Sequence, residues 1–328
     1  MTKNIIPTIN ISSIVKNGFD NSKSIIAINK IRKACINIGF FQITGHGISQ
    51  KDIKNICKIG NKFFNSSEKN KKKLAPKKWN KKNKNTYRGY FPNSVNGKEG
   101  LDLGDLKITP HNLKKYRSPF IEYLDLNKSF DKSSIKSLSN YFDDIFSLGE
   151  ILFKGIIKLY NKDDSISNRA FSRLKTLSTL RFNYYPNQTK PVEISKQDGV
   201  ALGCETHVDS GVFTVLYQDK KGGLQVQNRK NRKWYDVPFN KKALVVNTGR
   251  TLEFLSKGKF KATNHRVLWN KSKRLSVPFF FEPSYDFKMN KCFLNSKENS
   301  KSGQIYEKFL NRSLMKFVEY QRLSLIHI

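Results

Sequence analysis

The stretch "CETHVDSGVFTVLYQD", from Cys204 to Asp219, decides the fold. Its polar and apolar residues alternate as in a strand, and it contains His207 and Asp209, two positions apart. Side chains at positions i and i+2 of a strand point to the same face, so an imidazole and a carboxylate should lie side by side. Such a pair can bind a divalent metal, but an isolated His-x-Asp also occurs by chance on the wet face of a sheet. Whether His207 and Asp209 form a metal site or a chance pair therefore depends on further candidate ligands elsewhere in the chain.

Histidine is scarce, and one other copy lies in a second strand-like run. The five histidines are His46, His111, His207, His265 and His327, and His265 belongs to "KATNHRVLWN". Two His and one carboxylate occupy one face of an octahedron and leave three positions open, an arrangement typical of non-haem Fe(II). Cys204 precedes His207 by three residues and should therefore face the opposite side of the strand. Without a nearby thiolate, structural zinc is disfavoured.

A pair of potential anion-binding residues follows His265. Arg274 and Ser276 lie two positions apart in the strand-like "RLSVPFFF" and should share a face. A guanidinium fork with an added hydroxyl suits one carboxylate. For Arg274 alone, a surface position in a basic protein is the simpler interpretation. The Arg-x-Ser spacing directly after a candidate ligand strand is more specific.

Composition indicates a globular chain whose charge is mainly a surface property. The 328 residues are 38% hydrophobic, enough for a sizeable core. The formal net charge is +35, but of 61 basic residues only 13 are Arg, the residue favoured for gripping phosphates and bases. We therefore expect no specific nucleic-acid partner. The lysine-rich segment 68–85 is interpreted as a solvated helix end and loop, with a basic arm for anionic partners as the alternative.

Cysteine use and hydropathy bear on the compartment. The four cysteines, Cys35, Cys57, Cys204 and Cys292, are far apart and form no CxxC pair. That spacing argues against a zinc knuckle or a disulfide framework and fits a reducing compartment. Neither a signal peptide nor a run of about 18 apolar residues is recognisable. A cytoplasmic protein without membrane contact is expected.

The order of elements predicts helices followed by a β-rich body. Helical periodicities with short strand-like runs occupy residues 1–175, short evenly spaced strands occupy 176–290, and 291–328 return to helix. We predict an N-terminal cap, a barrel or sandwich core and a C-terminal closing helix, joined in one compact unit.

In the order and spacing of its motifs the chain resembles the Fe(II)/2-oxoglutarate-dependent dioxygenases of the isopenicillin N synthase-like superfamily. The resemblance covers nearly the whole chain, including "IPTINIS", "ACINIGFFQITGHGIS", "LRFNYYP", "GGLQV" and "ALVVNTG". It implies a mainly β fold with flanking helices (α+β), whose core is a distorted double-stranded β-helix, a cupin-like jelly roll.

The resemblance also implies roles for individual residues. Fe(II) would be bound by His207, Asp209 and His265, and 2-oxoglutarate by Arg274, Ser276, Asn183 and Tyr185. Residues of the possible substrate pocket are Tyr87, Arg88, Phe213 and Phe279. The implied activity is hydroxylation or desaturation of a small organic substrate by dioxygen, with release of succinate and CO2 and with ascorbate as reductant.

Three alternatives stay open. Isopenicillin N synthase and aminocyclopropane-carboxylate oxidase use the Arg-x-Ser pair for another carboxylate, and an ethylene- and succinate-forming enzyme would consume 2-oxoglutarate itself. A non-catalytic binding module is disfavoured, because all three candidate metal ligands are present.

One position departs from the family pattern. In "NTGRTLE", Arg250 stands where the family has an Asp that could cap the following helical turn. Either Thr251 replaces that cap, or Arg250 reaches an anionic substrate.

Overall fold

The computed structural model describes residues 5–92, 97–160, 165–187, 190–289 and 304–315. The strands are β1 (Thr8–Asn10), β2 (Phe40–Thr44), β3 (Gly89–Phe91), β4 (Glu99–Leu103), β5 (Thr179–Tyr185), β6 (Glu193–Ile194), β7 (Ala201–His207), β8 (Phe213–Gln218), β9 (Leu224–Gln227), β10 (Trp234–Asp236), β11 (Leu244–Thr248), β12 (His265–Leu268), β13 (Arg274–Phe281), β14 (Lys288–Met289) and β15 (Gln304–Ile305). The α-helices are α1 (Ser12–Asn17), α2 (Ser22–Asn37), α3 (Gln50–Phe64), α4 (Glu68–Lys72), α5 (Pro110–Leu113), α6 (Lys132–Lys158), α7 (Ser165–Ala170), α8 (Arg250–Leu255) and α9 (Tyr306–Leu314).

Two sheets form the body of the molecule. The larger has eight strands in the order β1-β2-β11-β8-β13-β5-β4-β3, and the smaller has five in the order β10-β9-β12-β7-β6. In both sheets the described pairings are antiparallel, apart from β1 with β2. A cavity between the sheets is lined by residues of both. This is the jelly roll that the sequence predicts.

The N-terminal region contributes strands to the larger sheet as well as helices. β1 and β2 extend one edge, and β3 and β4 form the other. The predicted cap therefore shares a sheet with the predicted core, and the boundaries near 175 and 290 stay a prediction. Of the predicted closing helix the structure describes α9, and Cys292 and His327 lie outside the described residues.

Helices α3 and α6 pack closely on the outer face of the larger sheet. A Cβ atom at Gly60 of α3 would lie 2.7 Å from the Phe182 ring of β5, and one at Gly149 of α6 would lie 2.5 Å from the Phe281 ring of β13. Glycine at these two positions lets the helices approach the strands, which fixes the outer face of β5 and β13. Within the described residues no helix combines the length and apolarity needed to cross a bilayer.

The lysine-rich segment begins with α4 and continues as turns. Eight of its nine lysines are exposed, and Trp79 anchors it with an edge-to-face contact on Phe91 at 5.5 Å between ring centres. Lys71 is the exception, because its Nζ is buried 2.6 Å from the Glu99 carboxylate.

Candidate active site

The three predicted metal ligands converge at one end of the smaller sheet. His207 ends β7 and is paired in register with His265, the first residue of β12, and Asp209 follows two residues after the end of β7. The Nε2 atoms of both histidines lie 3.6 Å from Asp209 Oδ1. One ligand atom from each residue lies within 4.8 Å of the others, close enough to share one metal ion.

Backbone carbonyls orient both imidazoles. His207 Nδ1 lies 2.8 Å from the carbonyl oxygen of Glu205, and His265 Nδ1 lies 3.1 Å from that of Thr263. A carbonyl only accepts, so each Nδ1 must carry the proton and donate it. The Nε2 lone pairs are then left facing Asp209, as metal binding requires.

Two side chains from the larger sheet hold the Asp209 carboxylate. Thr214 Oγ1 donates to Asp209 Oδ2 at 2.5 Å, and Asn247 Nδ2 donates to the same oxygen at 2.8 Å. Oδ1 is thereby left for the cluster. Neither Thr214 nor Asn247 was predicted to have this role; the only signal was a polar residue inside the apolar run "ALVVNTG".

Burial and mutual charge set the protonation of the cluster. Burial lowers the pKa of His265 to about 4, so this imidazole is neutral. Burial also opposes charge on His207, but the Cys204 sulfur and Asp209 outweigh it and raise the pKa of His207 to about 9. Burial would raise the pKa of Asp209, yet the two imidazoles hold it below its usual value. A cation at the cluster therefore competes with a proton on His207.

The sequence predicted that Cys204 faces away from His207, and this prediction is wrong. The register shifts between the pairs His265–His207 and Val267–Cys204. Between these two pairs, β7 contains one residue more than β12 does. This β-bulge turns Cys204 into the same cavity as His207. The thiol is still outside the three-residue cluster.

The predicted cosubstrate residues face the same cavity from the larger sheet. Strands β13 and β5 place Arg274 opposite Tyr185 and Ser276 opposite Asn183. Arg274 is 4% exposed, and its guanidinium carbon lies 4.9 Å from the Tyr185 ring centre. Its Nε and Nη1 have no hydrogen-bond partner, nor has Asn183 Oδ1. The nearest described carboxylate, that of Asp219, is 3.9 Å from Nε.

Unpaired donors on a buried guanidinium cost free energy, so this arrangement suits a bound carboxylate. The residues therefore fit both parts of the expected cofactor set: a hard N/O donor cluster for Fe(II) and a buried cation for a dicarboxylic acid.

Family models and known proteins match the chain along most of its length. Residues 176–283 match the 2OG-Fe(II) oxygenase superfamily, and 6–132 match the N-terminal region described for a non-haem dioxygenase in morphine synthesis. A Dictyostelium discoideum protein named as an iron/ascorbate oxidoreductase is 32% identical over 310 residues, covering 86% of this chain and 82% of its own length. The chain belongs to the 2OG-Fe(II) oxygenases.

Further relatives support this oxygenase assignment. Isopenicillin N synthase of Streptomyces griseus is 29% identical over 287 residues, 85% of each chain. The fold is shared with a full-length Neurospora crassa protein in complex with alpha-KG, at TM-score 0.75 and 22% identity over 94% of this chain and 95% of that one. It is also shared with the Arabidopsis thaliana dioxygenase for auxin oxidation bound to 2-oxoglutarate, at TM-score 0.68 and 21% identity over 89% and 99%. The protein is an Fe(II)- and 2-oxoglutarate-dependent oxygenase that acts on a small molecule.

Two predicted pocket residues of the oxygenase line the cavity. Tyr87 and Arg88 do so on the segment before β3. Glu122 fixes that segment, because its carboxylate accepts backbone N–H bonds from Thr86 at 2.5 Å, Tyr87 at 2.9 Å and Arg88 at 2.8 Å. Sequence reasoning did not find Glu122.

The other two predicted pocket residues, Phe213 and Phe279, do not line the cavity. Both are fully buried in the core, and Phe279 packs edge-to-face on Phe142 of α6 at 5.1 Å. The reason is strand alternation: Arg274 and Ser276 face inward, so Phe280 does too and Phe279 faces the helices. On β8 it is Thr214, next to Phe213, that faces the cavity.

Neither of the two alternatives for this position, a cap from Thr251 or a substrate contact from Arg250, is seen in the structure. The Arg250 side chain is exposed and is not part of the cavity wall, and its backbone N–H donates to the Asp209 carbonyl at 2.9 Å. Thr251 does not cap α8; its hydroxyl donates to the Ser210 carbonyl at 2.6 Å. Both residues instead tie the start of α8 to the segment that carries Asp209.

Proposed function

We propose that His207, Asp209 and His265 bind Fe(II), and that Arg274, Ser276, Asn183 and Tyr185 bind 2-oxoglutarate. On this site the enzyme hydroxylates or desaturates a small organic substrate, with release of succinate and CO2. Ascorbate serves as the reductant that keeps the iron in its ferrous state.

The buried guanidinium of Arg274 carries this proposal. It faces the same cavity as the His-Asp-His cluster, from the opposite sheet, and two of its nitrogens have no partner. A cofactor with a carboxylate at one end and metal-binding oxygens at the other would satisfy both sheets at once. 2-Oxoglutarate has that chemistry.

The chain's own residues hold and orient the reactants. Bound Fe(II) and 2-oxoglutarate supply the oxidising chemistry. The carbonyls of Glu205 and Thr263 keep the imidazole Nε2 atoms available, and Thr214 with Asn247 fixes which oxygen of Asp209 faces the cluster.

Metal content and succinate release test the proposal together. His207→Ala and Asp209→Ala should each lose stoichiometric Fe(II) and lose 2-oxoglutarate-dependent succinate release. His111→Ala, which changes an exposed histidine of α5, is the matched control and should retain both. Wild-type iron content and succinate release in either cluster variant would refute the metal assignment.

Isopenicillin N synthase chemistry is the second candidate, favoured by the 29% identity with the Streptomyces griseus enzyme. In that case Arg274 and Ser276 would hold a carboxylate of the substrate. Oxygen consumption that is independent of 2-oxoglutarate would support this alternative, and ethylene in the headspace would identify the ethylene-forming type.

We infer that the enzyme acts in the cytoplasm and without a specific nucleic-acid or membrane partner. The described cysteines, Cys35, Cys57 and Cys204, are all free thiols, which fits a reducing compartment. The positive charge is carried mainly by Lys, so duplex DNA should bind weakly and be released by salt. Sequence-selective binding at physiological salt would contradict this inference.

A further inference from the structure

A second buried cation faces the cavity beside the predicted cosubstrate residues. Lys98, the residue before β4, lines the cavity and is 8% exposed. Its neighbour Glu99 is directed elsewhere, and its carboxylate accepts hydrogen bonds from Lys71 Nζ at 2.6 Å and from the Tyr90 hydroxyl at 2.5 Å. Because successive side chains of an extended chain alternate between faces, this anchoring of Glu99 keeps Lys98 directed inward.

Strand pairing places Lys98 in the same row as Arg274. On one side of β5, Glu99 is paired with Tyr184. Lys98, one residue earlier on an antiparallel strand, is therefore level with Tyr185. On the other side of β5, Tyr185 is paired with Arg274. Lys98 and Arg274 thus flank one tyrosine from strands two apart, a backbone separation of about 10 Å at about 4.8 Å per strand.

On the opposite sheet, Lys98 reaches the row beside the metal ligands. The pair His207–His265 joins β7 and β12 at the metal site. The next pair along these strands is Cys204–Val267. Lys98 Nζ lies 3.1 Å from Cys204 Sγ, and both residues line the cavity. The ammonium group therefore lies one pair away from the metal ligands.

The two cations favour a shared anion. Removing an ammonium or guanidinium group from water costs free energy, and neighbouring cations repel each other, so an anion between them compensates both. Lys98 and Arg274 are 8% and 4% exposed, whereas the carboxylates around them are half-buried. Asp219 is 3.9 Å from Arg274 Nε, too far for a hydrogen bond, and Glu205 Oε2 is 3.9 Å from Cys204 Sγ.

We propose that Lys98 is a second cosubstrate-binding cation, which binds the far carboxylate of 2-oxoglutarate, remote from the keto group, together with Arg274. The guanidinium offers a planar fork to both oxygens, and the ammonium group adds a compact charge from the other side. This inference rests on the proposed function, since it assumes that the same cavity binds Fe(II) and 2-oxoglutarate.

An analogue without the far carboxylate tests the contact. 2-Oxopentanoate has a methyl group in place of that carboxylate and keeps the keto acid end. In calorimetry with anaerobic Fe(II)-loaded enzyme, Lys98→Met should bind 2-oxoglutarate roughly tenfold more weakly than wild type and 2-oxopentanoate within about twofold. Equal weakening of both ligands would place Lys98 at the keto acid end and overturn the proposal, as would unchanged affinity for 2-oxoglutarate.

Two further variants exclude indirect effects. Lys136→Met, which changes an exposed lysine of α6, is the matched control and should bind both ligands like wild type. In a Glu205→Gln background, Lys98→Met should weaken 2-oxoglutarate binding by the same factor as in wild type. Loss of the effect in that background would mean that Lys98 only neutralises Glu205, which overturns the proposal.

Thermal unfolding without ligand distinguishes binding from a structural role. Lys98→Met should have a Tm no lower than wild type, because it removes a buried cation. A lower Tm with unchanged 2-oxoglutarate affinity would assign Lys98 to the Cys204 contact alone and overturn the proposal.

The wild-type titration keeps this test separate from the proposed function. Failure of wild-type enzyme to bind 2-oxoglutarate contradicts the proposed function. Wild-type binding that is unaffected by Lys98→Met contradicts only the inference about Lys98.

Discussion

Asn247 donates a 2.8 Å hydrogen bond to the oxygen of Asp209 that faces away from the histidine cluster. Asn247 lies on β11, in the middle of the larger sheet, whereas Asp209 follows β7 of the smaller sheet. The bond therefore joins the two sheets at the metal site. It sets the orientation of the carboxylate ligand without using any of the atoms that would contact iron.

Removing this bond should weaken metal binding. Asn247→Ala leaves Asp209 with only Thr214 as a side-chain partner and lets the carboxylate rotate, so we expect Fe(II) affinity to fall roughly 10- to 100-fold. Anaerobic metal titration measures the effect, and the exposed Asn231→Ala serves as control. An unchanged affinity would mean that Thr214 alone is sufficient to orient Asp209.

Arg274→Met should weaken the binding of 2-oxoglutarate without destabilising the fold. Without 2-oxoglutarate the variant should be at least as stable as wild type, because it removes a buried guanidinium with unpaired donors. Loss of a charged hydrogen bond of about 1.5–3 kcal/mol should raise the KM for 2-oxoglutarate roughly tenfold or more.

Thermal unfolding with and without 2-oxoglutarate, together with kinetics, measures both effects of this change. Ligand-induced stabilisation should disappear in the Met variant and persist partly in Arg274→Lys, which keeps the charge but not the fork. A large loss of stability without ligand, with an unchanged KM, would assign Arg274 a structural role instead.

The sequence predicted those residue pairs whose relative orientation depends only on the local geometry of one strand. His207 with Asp209, and Arg274 with Ser276, share a face because two residues separate them on an extended chain. The same alternation, continued from Arg274, would have predicted Phe280 rather than Phe279 as a cavity residue. That error was avoidable from sequence alone.

Other features depend on relations between distant strands. The bulge that turns Cys204 inward is visible only when β7 is aligned against β12. The bonds from Thr214 and Asn247 to Asp209, and the place of Glu282 in the cavity wall, depend on which strands are neighbours and in which register. Local residue patterns carry no information about strand neighbours or register, so the roles of Thr214 and Asn247 could not be predicted from them.

Glu282 should make stability depend on pH. Its pKa is about 8 in the folded protein, against 4.5 for an ordinary Glu, so between these values the folded state holds a proton that the unfolded state has lost. Folding stability should thus decrease with rising pH across this window, by up to about 1.4 kcal/mol per pH unit from this group.

The Glu282→Gln variant lacks this titration. Its Tm relative to wild type should therefore rise from pH 5 to pH 8 and level off above that. Thermal unfolding over the pH series, with Glu253→Gln as control, measures the difference. A constant difference across the series would show that Glu282 titrates normally.

Glu122 should control the wall of the cavity that carries Tyr87 and Arg88. Its carboxylate accepts three successive backbone N–H bonds from Thr86, Tyr87 and Arg88, and an amide in its place has one oxygen and directs an NH2 group at these donors. Glu122→Gln should therefore speed hydrogen exchange at these three amides and raise the KM for the organic substrate more than that for 2-oxoglutarate. The exposed Glu193→Gln is the matched control. Because Arg274 and Ser276 are on another strand, an equal rise in both KM values would mean that Glu122 supports the whole cavity rather than this wall.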